Sequence, residues 1–239
     1  MTPRQASKRV GVIVMAVVLS GCQSVRTTAA HKIADLLPRS LGPAEHYDVQ
    51  VEGDTPALAQ GRARRIHVVG EQVQLAPNTT VDTLDIDAHD VVFDAQAKRI
   101  ERVGQTTFTG TVGQRNLTEY LAHRHPLAAL SVQIRARDMQ AEVPISAAGW
   151  HTTADVSGTL VPDTAQPGHL DFVADKASVG VLPIPAQLIN FALGEINPVF
   201  DLSHEKAPIT LMRADVLNGL IVLQGTANLN NFSVKPKRG

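Results

Sequence analysis

Strict alternation of apolar and polar residues constrains this chain more than any other feature. In the stretch TLDIDAHD, Leu84, Ile86 and Ala88 alternate with Asp85, Asp87 and His89. LSVQIRARD repeats the pattern, with Leu130, Val132, Ile134 and Ala136 set against Ser131, Gln133, Arg135 and Arg137. Successive side chains of a strand point to opposite faces, so a period of two gathers the apolar residues on one face. HYDVQVEG does the same with Tyr47, Val49 and Val51, and RARRIHVVGEQVQL continues as two strand-like pieces around Gly70. With turn signals between such runs, the pattern predicts a largely antiparallel sheet with one wet face.

Helical spacing interrupts the strands. Ser24 to Leu41 reads as an amphipathic helix, with Ala29, Ile33, Leu36 and Leu37 on one face, closed by Pro38 and Gly42-Pro43. QRNLTEYLAHR ends before Pro126 and PAQLINFALGEIN before Pro198. The order strand, strand, helix occurs twice, around Thr80 to Arg124 and around His169 to Asn197, as a weak internal repeat. The expected class is α+β. Asn218-Gly219 signals a tight hairpin in which both central residues take positive φ. Leu220 to Leu223, the strand that follows, is apolar on both faces and needs two covers, the second being ordinary core or a bound acyl chain.

The beginning of the chain has the layout of an export signal. Arg4, Lys8 and Arg9 precede Val10 to Leu19, a run without charge. That run is too short to cross a bilayer, which takes about 20 helical residues. Leu19-Ser20-Gly21-Cys22 then matches the bacterial lipobox, in which the thiol is lipidated before cleavage. The alternative is a structural cysteine in a buried signal anchor. The expected organisation is a signal peptide over 1–21, a tether over 22–28, one domain over 29–234 and a basic tail over 235–239. Cys22 is the only cysteine, so its lipidation leaves no thiol for a disulfide or a nucleophile. Gln23 after the cysteine, rather than Asp, predicts an outer-membrane lipoprotein facing the periplasm if the cell has two membranes.

Acids and bases nearly cancel, 23 against 22, so no field favours nucleic acid. Hydrophobic residues make up 44% but aromatic ones only 4%, which suits aliphatic partners better than bases or sugars that need stacking. No nucleophile elbow, metalloprotease helix, phosphate loop or dinucleotide fingerprint occurs. Asp85, Asp87 and His89 share a strand face, as metal ligands do, but a solvated face has the same spacing. No catalytic residue, metal or cofactor is expected.

Val179 to Phe200 holds a single charge, Glu195. As a helix, Leu188, Ile189, Phe191, Ala192, Leu193 and Ile196 cover most of its circumference and demand burial by protein or ligand. Together with Leu220 and Val222 they are the expected wall of a lipid groove. Arg62, Arg64 and Arg65 form the densest basic cluster of the folded region, suited to an anionic headgroup.

From about His46 to Leu229 the chain resembles the LmeA-like phospholipid-binding proteins of bacterial envelopes. TVDTLDIDAHDVVFD is similar to that family's paired strands, and TFTGTVGQRNLTEYL to its strand leading into an Asn-Leu helix. LGEINPVFDLSHEKAPITLMRADVLNGLIVLQGTANL, the most specific stretch, is similar to its closing Asn-Pro, hairpin and final strand. The resemblance implies a long, curved antiparallel sheet wrapped around helices, related to AsmA-like and tubular lipid-binding folds, with phospholipid held non-covalently. The resulting expectation is a non-catalytic lipoprotein that binds phospholipid or another acyl lipid in a hydrophobic groove and touches the membrane through lipidated Cys22. The competing expectation is an envelope assembly factor that presents its apolar sheet face to another protein, whose identity the sequence does not give.

Overall fold

A computed structural model describes residues 25–77, 79–94, 99–124, 131–147, 150–185, 189, 193, 197–203 and 207–230. The β structure is divided between two antiparallel sheets. The first is built from β1 (His46–Glu52), β2 (Arg62–Ala76), β3 (Thr79–Asp94), β4 (Arg99–Arg102) and β5 (Gln105–Gly113), and closed by the C-terminal hairpin β12 (Ile209–Leu217) and β13 (Leu220–Ala227). Its order is β1-β2-β3-β5-β13-β12, with β4 on the end of β3. The second contains β6 (Ser131–Ile134), β7 (Met139–Ala147), β8 (Trp150–Pro162), β9 (His169–Val179), β10 (Leu182–Ile184) and β11 (Phe200–Asp201). It runs β10-β9-β8-β7-β6 with β11 on β9. The chain leaves the first sheet after β5, lays down the second and returns, so both are α+β elements of one interleaved unit rather than one continuous sheet.

Helices are described as α1 over 25–34, α2 (Leu37–Ser40), α3 (Thr55–Ala59) and α4 (Gln114–Arg124), and Ile189 and Leu193 are helical as well. The predicted helix over 24–41 is therefore two pieces. Pro38 in the first turn of α2 has no N–H to continue the ladder of α1, so the break falls at 35–36 and a new helix starts at Leu37. Leu36 N donates instead to Ile33 O at 2.9 Å, a tightened last turn. Residues 25–28, expected as part of a tether, are helical.

The main core lies between the sheets. Val73, Leu84 and Ile221 from the first meet Val156, Leu170 and Phe172 from the second, with Leu117 and Leu121 of α4 between. Ile189 and Leu193, the described part of the greasy 185–197 segment, are buried in the same cluster. Tyr120 stacks on Phe200 at 4.8 Å between centroids.

Two long strands change phase along their length. On β3 the inward residues are Leu84, Ile86 and Ala88, but Val91 beyond Asp90; on β2 they are Ile66, Val68 and Gly70, but Val73 beyond Gln72. Asp90 (φ 53°) and Gln72 (φ 49°) take the left-handed region, which reverses the alternation and keeps apolar side chains inside the bend. Asp82 secures the Gln72 bend, accepting from Gln72 Nε2 at 2.9 Å, from Asn116 Nδ2 at 3.1 Å and from Gly113 N. The start of α4 is thereby tied to β3.

The β12–β13 hairpin has the two-residue loop expected, with Leu217 paired to Leu220. Only Gly219 (φ 83°) is left-handed, however; Asn218 is not, so the turn is not the doubly positive type expected of Asn-Gly. Ile221 and Leu223 enter the core, while Leu220 and Val222 are half-buried on the other face. Asn197 ends the greasy segment by donating to and accepting from the backbone of Phe172, both at 3.0 Å, as a substitute strand at the edge of β9.

Candidate functional site

A second, smaller apolar cluster sits at the far end of the first sheet, where Ala88, Val91 and Val103 are buried with Ala63, Ile66, Ile100 and Leu229 packed on them. This cluster does not fill its space. Above it α1, α2 and α3 roof a cavity of about 490 Å³. The floor is formed by Ile66, Val68, Ile86, Ala88 and Val91, and the roof by Val25, Ala29, Ile33, Leu36, Leu37 and Leu58.

The sequence builds this cavity in three steps. The change of phase at Asp90 turns Val91 and Phe93 inward beside Ala88, so that the bent end of β3 presents an apolar floor. Small residues then leave the floor low: Gly61, Ala63 and Ala88 stand where larger side chains would close the gap. A side chain at Gly61 (φ 74°) would also collide with the Phe93 carbonyl, whose residue's N–H bonds back to Gly61 O at 2.8 Å. Finally the amphipathic face of α1 lies over the opening, held by Arg26 Nη2, which donates to Gly53 O at 3.0 Å.

Among the described residues two charged ones line the cavity, Lys32 and Arg62, both exposed cations, and no acid does. Exposed Thr28 joins them at the rim. Of the three arginines singled out in the sequence, Arg62 alone borders the cavity. Arg64 pairs with Glu52 at 3.2 Å. Arg65 grips Asp87 through Nε at 2.8 Å and Nη2 at 2.6 Å, with Glu52 at 3.3 Å. These partners lie on the wet face of the sheet. The Arg65 guanidinium holds the Asp87 carboxyl below the usual carboxylate range.

Four residues of the expected groove wall are described. Ile189 and Leu193 belong to the main core, Leu220 and Val222 to the outer side of β13, and none of the four borders the cavity. Leu188, Phe191, Ala192 and Ile196 lie outside the described residues, as does Cys22. The cavity is made by a one-sided helix over a sheet that lacks bulk.

Asp85, Asp87 and His89 are engaged with neighbours: His67 Nε2 lies 2.9 Å from Asp85 and His89 Nε2 3.3 Å from Asp87. Among the described residues no group of three His, Cys, Asp or Glu could hold a metal ion, and no helix is long and apolar enough to cross a membrane. A second hollow of about 530 Å³ on the second sheet mixes Ala141, Val156, Ala177 and Ile184 with Glu142, Asp155, Asp175 and Lys176, so acids as well as a cation stand in its lining.

An apolar cavity roofed by helices over one antiparallel sheet, with two cations at its rim, is shaped for an apolar ligand with an anionic end. The family model described as LmeA-like phospholipid-binding matches residues 24–226. The chain belongs to that family, and lipid binding is its general activity. Every residue lining the cavity except Leu229 falls within the matched span. No curated protein and no solved structure matches the chain.

Proposed function

We propose that the protein is a non-catalytic, lipid-anchored envelope protein that holds a phospholipid in the cavity between α1 and the first sheet. The observation that carries this reading is the cavity itself, about 490 Å³ with an apolar floor and roof. That volume lies within the range of small-molecule sites, ~300 to 1,000 Å³. Burial of acyl methylenes supplies the affinity at ~0.8 kcal/mol each, and no polar chemistry is needed inside. Lys32 and Arg62 at the rim favour an anionic headgroup, Arg62 through bidentate phosphate contact.

In this reading Cys22 carries the anchor, and its position three residues before Val25 keeps the cavity close to the membrane surface. A tubular relationship to AsmA-like folds and a role in lipid transport or envelope maintenance belong to the same proposal. Lipid extraction of the purified protein followed by mass spectrometry tests it. Co-purifying phospholipid, lost when Ile66 and Val91 are replaced by Asp in a variant that still folds, supports the reading. Absence of any bound lipid, together with no uptake of labelled phospholipid from vesicles, defeats it.

A further inference from the structure

We propose that the cavity seats a single acyl chain, so that a phospholipid is engaged through one tail while its other tail stays outside. This rests on the lipid-binding reading and adds the stoichiometry and shape of the ligand. An apolar cavity of ~150 Å³ takes up benzene, which sets a scale of ~25 Å³ per carbon. On that scale about 490 Å³ holds ~20 carbons. One long acyl chain fills it. Two such chains, with more than ~30 carbons between them, would need ~800 Å³.

The walls leave little room to expand. The floor is a hydrogen-bonded ladder in which Ala63 pairs with Val91 and Ile66 with Ala88. Ile86 packs against the main core, so the cavity ends where the tightly packed interior begins. The roof is tied at Arg26 to Gly53. The exposed members of the lining, Thr28, Lys32, Ala59 and Arg62, mark its mouth, where the headgroup and the second tail emerge. The chemistry recognised is therefore one acyl chain with an anionic head.

Native mass spectrometry of the purified full-length protein with 1-hexadecanoyl-lysophosphatidylglycerol provides the test. A single adduct is expected at saturation, and dihexadecanoyl-phosphatidylglycerol should displace it rather than add to it. Adduct formation across lysolipids of 10 to 22 carbons should strengthen by up to about fourfold per methylene and level off near ~20 carbons. Ala88→Leu and Ala29→Leu, which fill the floor and the roof separately, should each bring the plateau down by ~3 carbons. Two lysolipids bound together, or a plateau indifferent to both substitutions, would overturn the single-chain seat while leaving lipid binding intact. No adduct at any length would overturn both.

Discussion

Asp82 joins a bent strand to the start of α4, and its removal has a cost that can be worked out. Asp82→Ala leaves the Gly113 N–H and the amide of Asn116, which is 5% exposed, without their acceptor. Hydrogen bonds to a charged group contribute ~1.5 to 3 kcal/mol, and each buried polar group left unpaired costs ~1 to 3 kcal/mol. Gln72 is half-buried and turns to water at little cost. The expected loss is ~3 to 4 kcal/mol, or roughly 10 °C in Tm for a domain of this size. Urea unfolding and calorimetry measure it. Asn116→Ala removes the same contact from the other side, so the double variant should be less destabilised than the sum by ~1 to 2 kcal/mol. A loss under ~1 kcal/mol, or strict additivity, would refute Asp82 as the tie.

Other expectations concern single groups. Thr106 Oγ1 is buried with no hydrogen-bond partner among the described residues, and Thr106→Val should stabilise the fold by ~1 kcal/mol, read as a raised urea midpoint. Tyr47 donates to Gly42 O at 2.9 Å, and burial pushes its phenol from 10.0 to about 12. Because the folded pKa lies above the unfolded one, the contribution is intact below pH ~10 and is lost as pH rises through ~12; Tyr47→Phe should remove that alkaline limb of the stability profile. Lys32→Glu with Arg62→Glu should weaken binding to anionic vesicles about tenfold or more and flatten its salt dependence, with neutral lipid little affected. Cys22→Ser should release or misprocess the protein in cells while the purified variant still takes up lipid.

What the sequence disclosed followed from periodicity. The strands around Leu84 to Ala88 and Val132 to Ile134, and the helix Gln114–Arg124, appear where the alternation and the apolar spacing place them. The bends do not announce themselves, because Gln72 and Asp90 enter the left-handed region without a glycine, and the phase of β2 and β3 changes there. The greasy segment before Pro198 drew attention as a groove wall, yet hydrophobicity on all sides is what full burial requires, and Ile189 and Leu193 are core. The cavity had a quieter signal: a one-sided stripe on α1 with no obvious counterpart, facing Gly61, Ala63 and Ala88 on the first sheet. Charge density alone does not separate the three arginines: Arg64 and Arg65 pair with Glu52 and Asp87 across strands, and of the three Arg62 lines the cavity.

Photocrosslinking with a phosphatidylglycerol carrying a diazirine near the end of one acyl chain tests the central claim most directly. Peptide mapping should place the adducts on α1 and on the inward residues of β2 and β3, at Ile33, Ile66, Ala88 and Val91. Adducts concentrated instead on the exposed β9–β10 turn at Val181 and Leu182, or spread without preference over the surface, would contradict it.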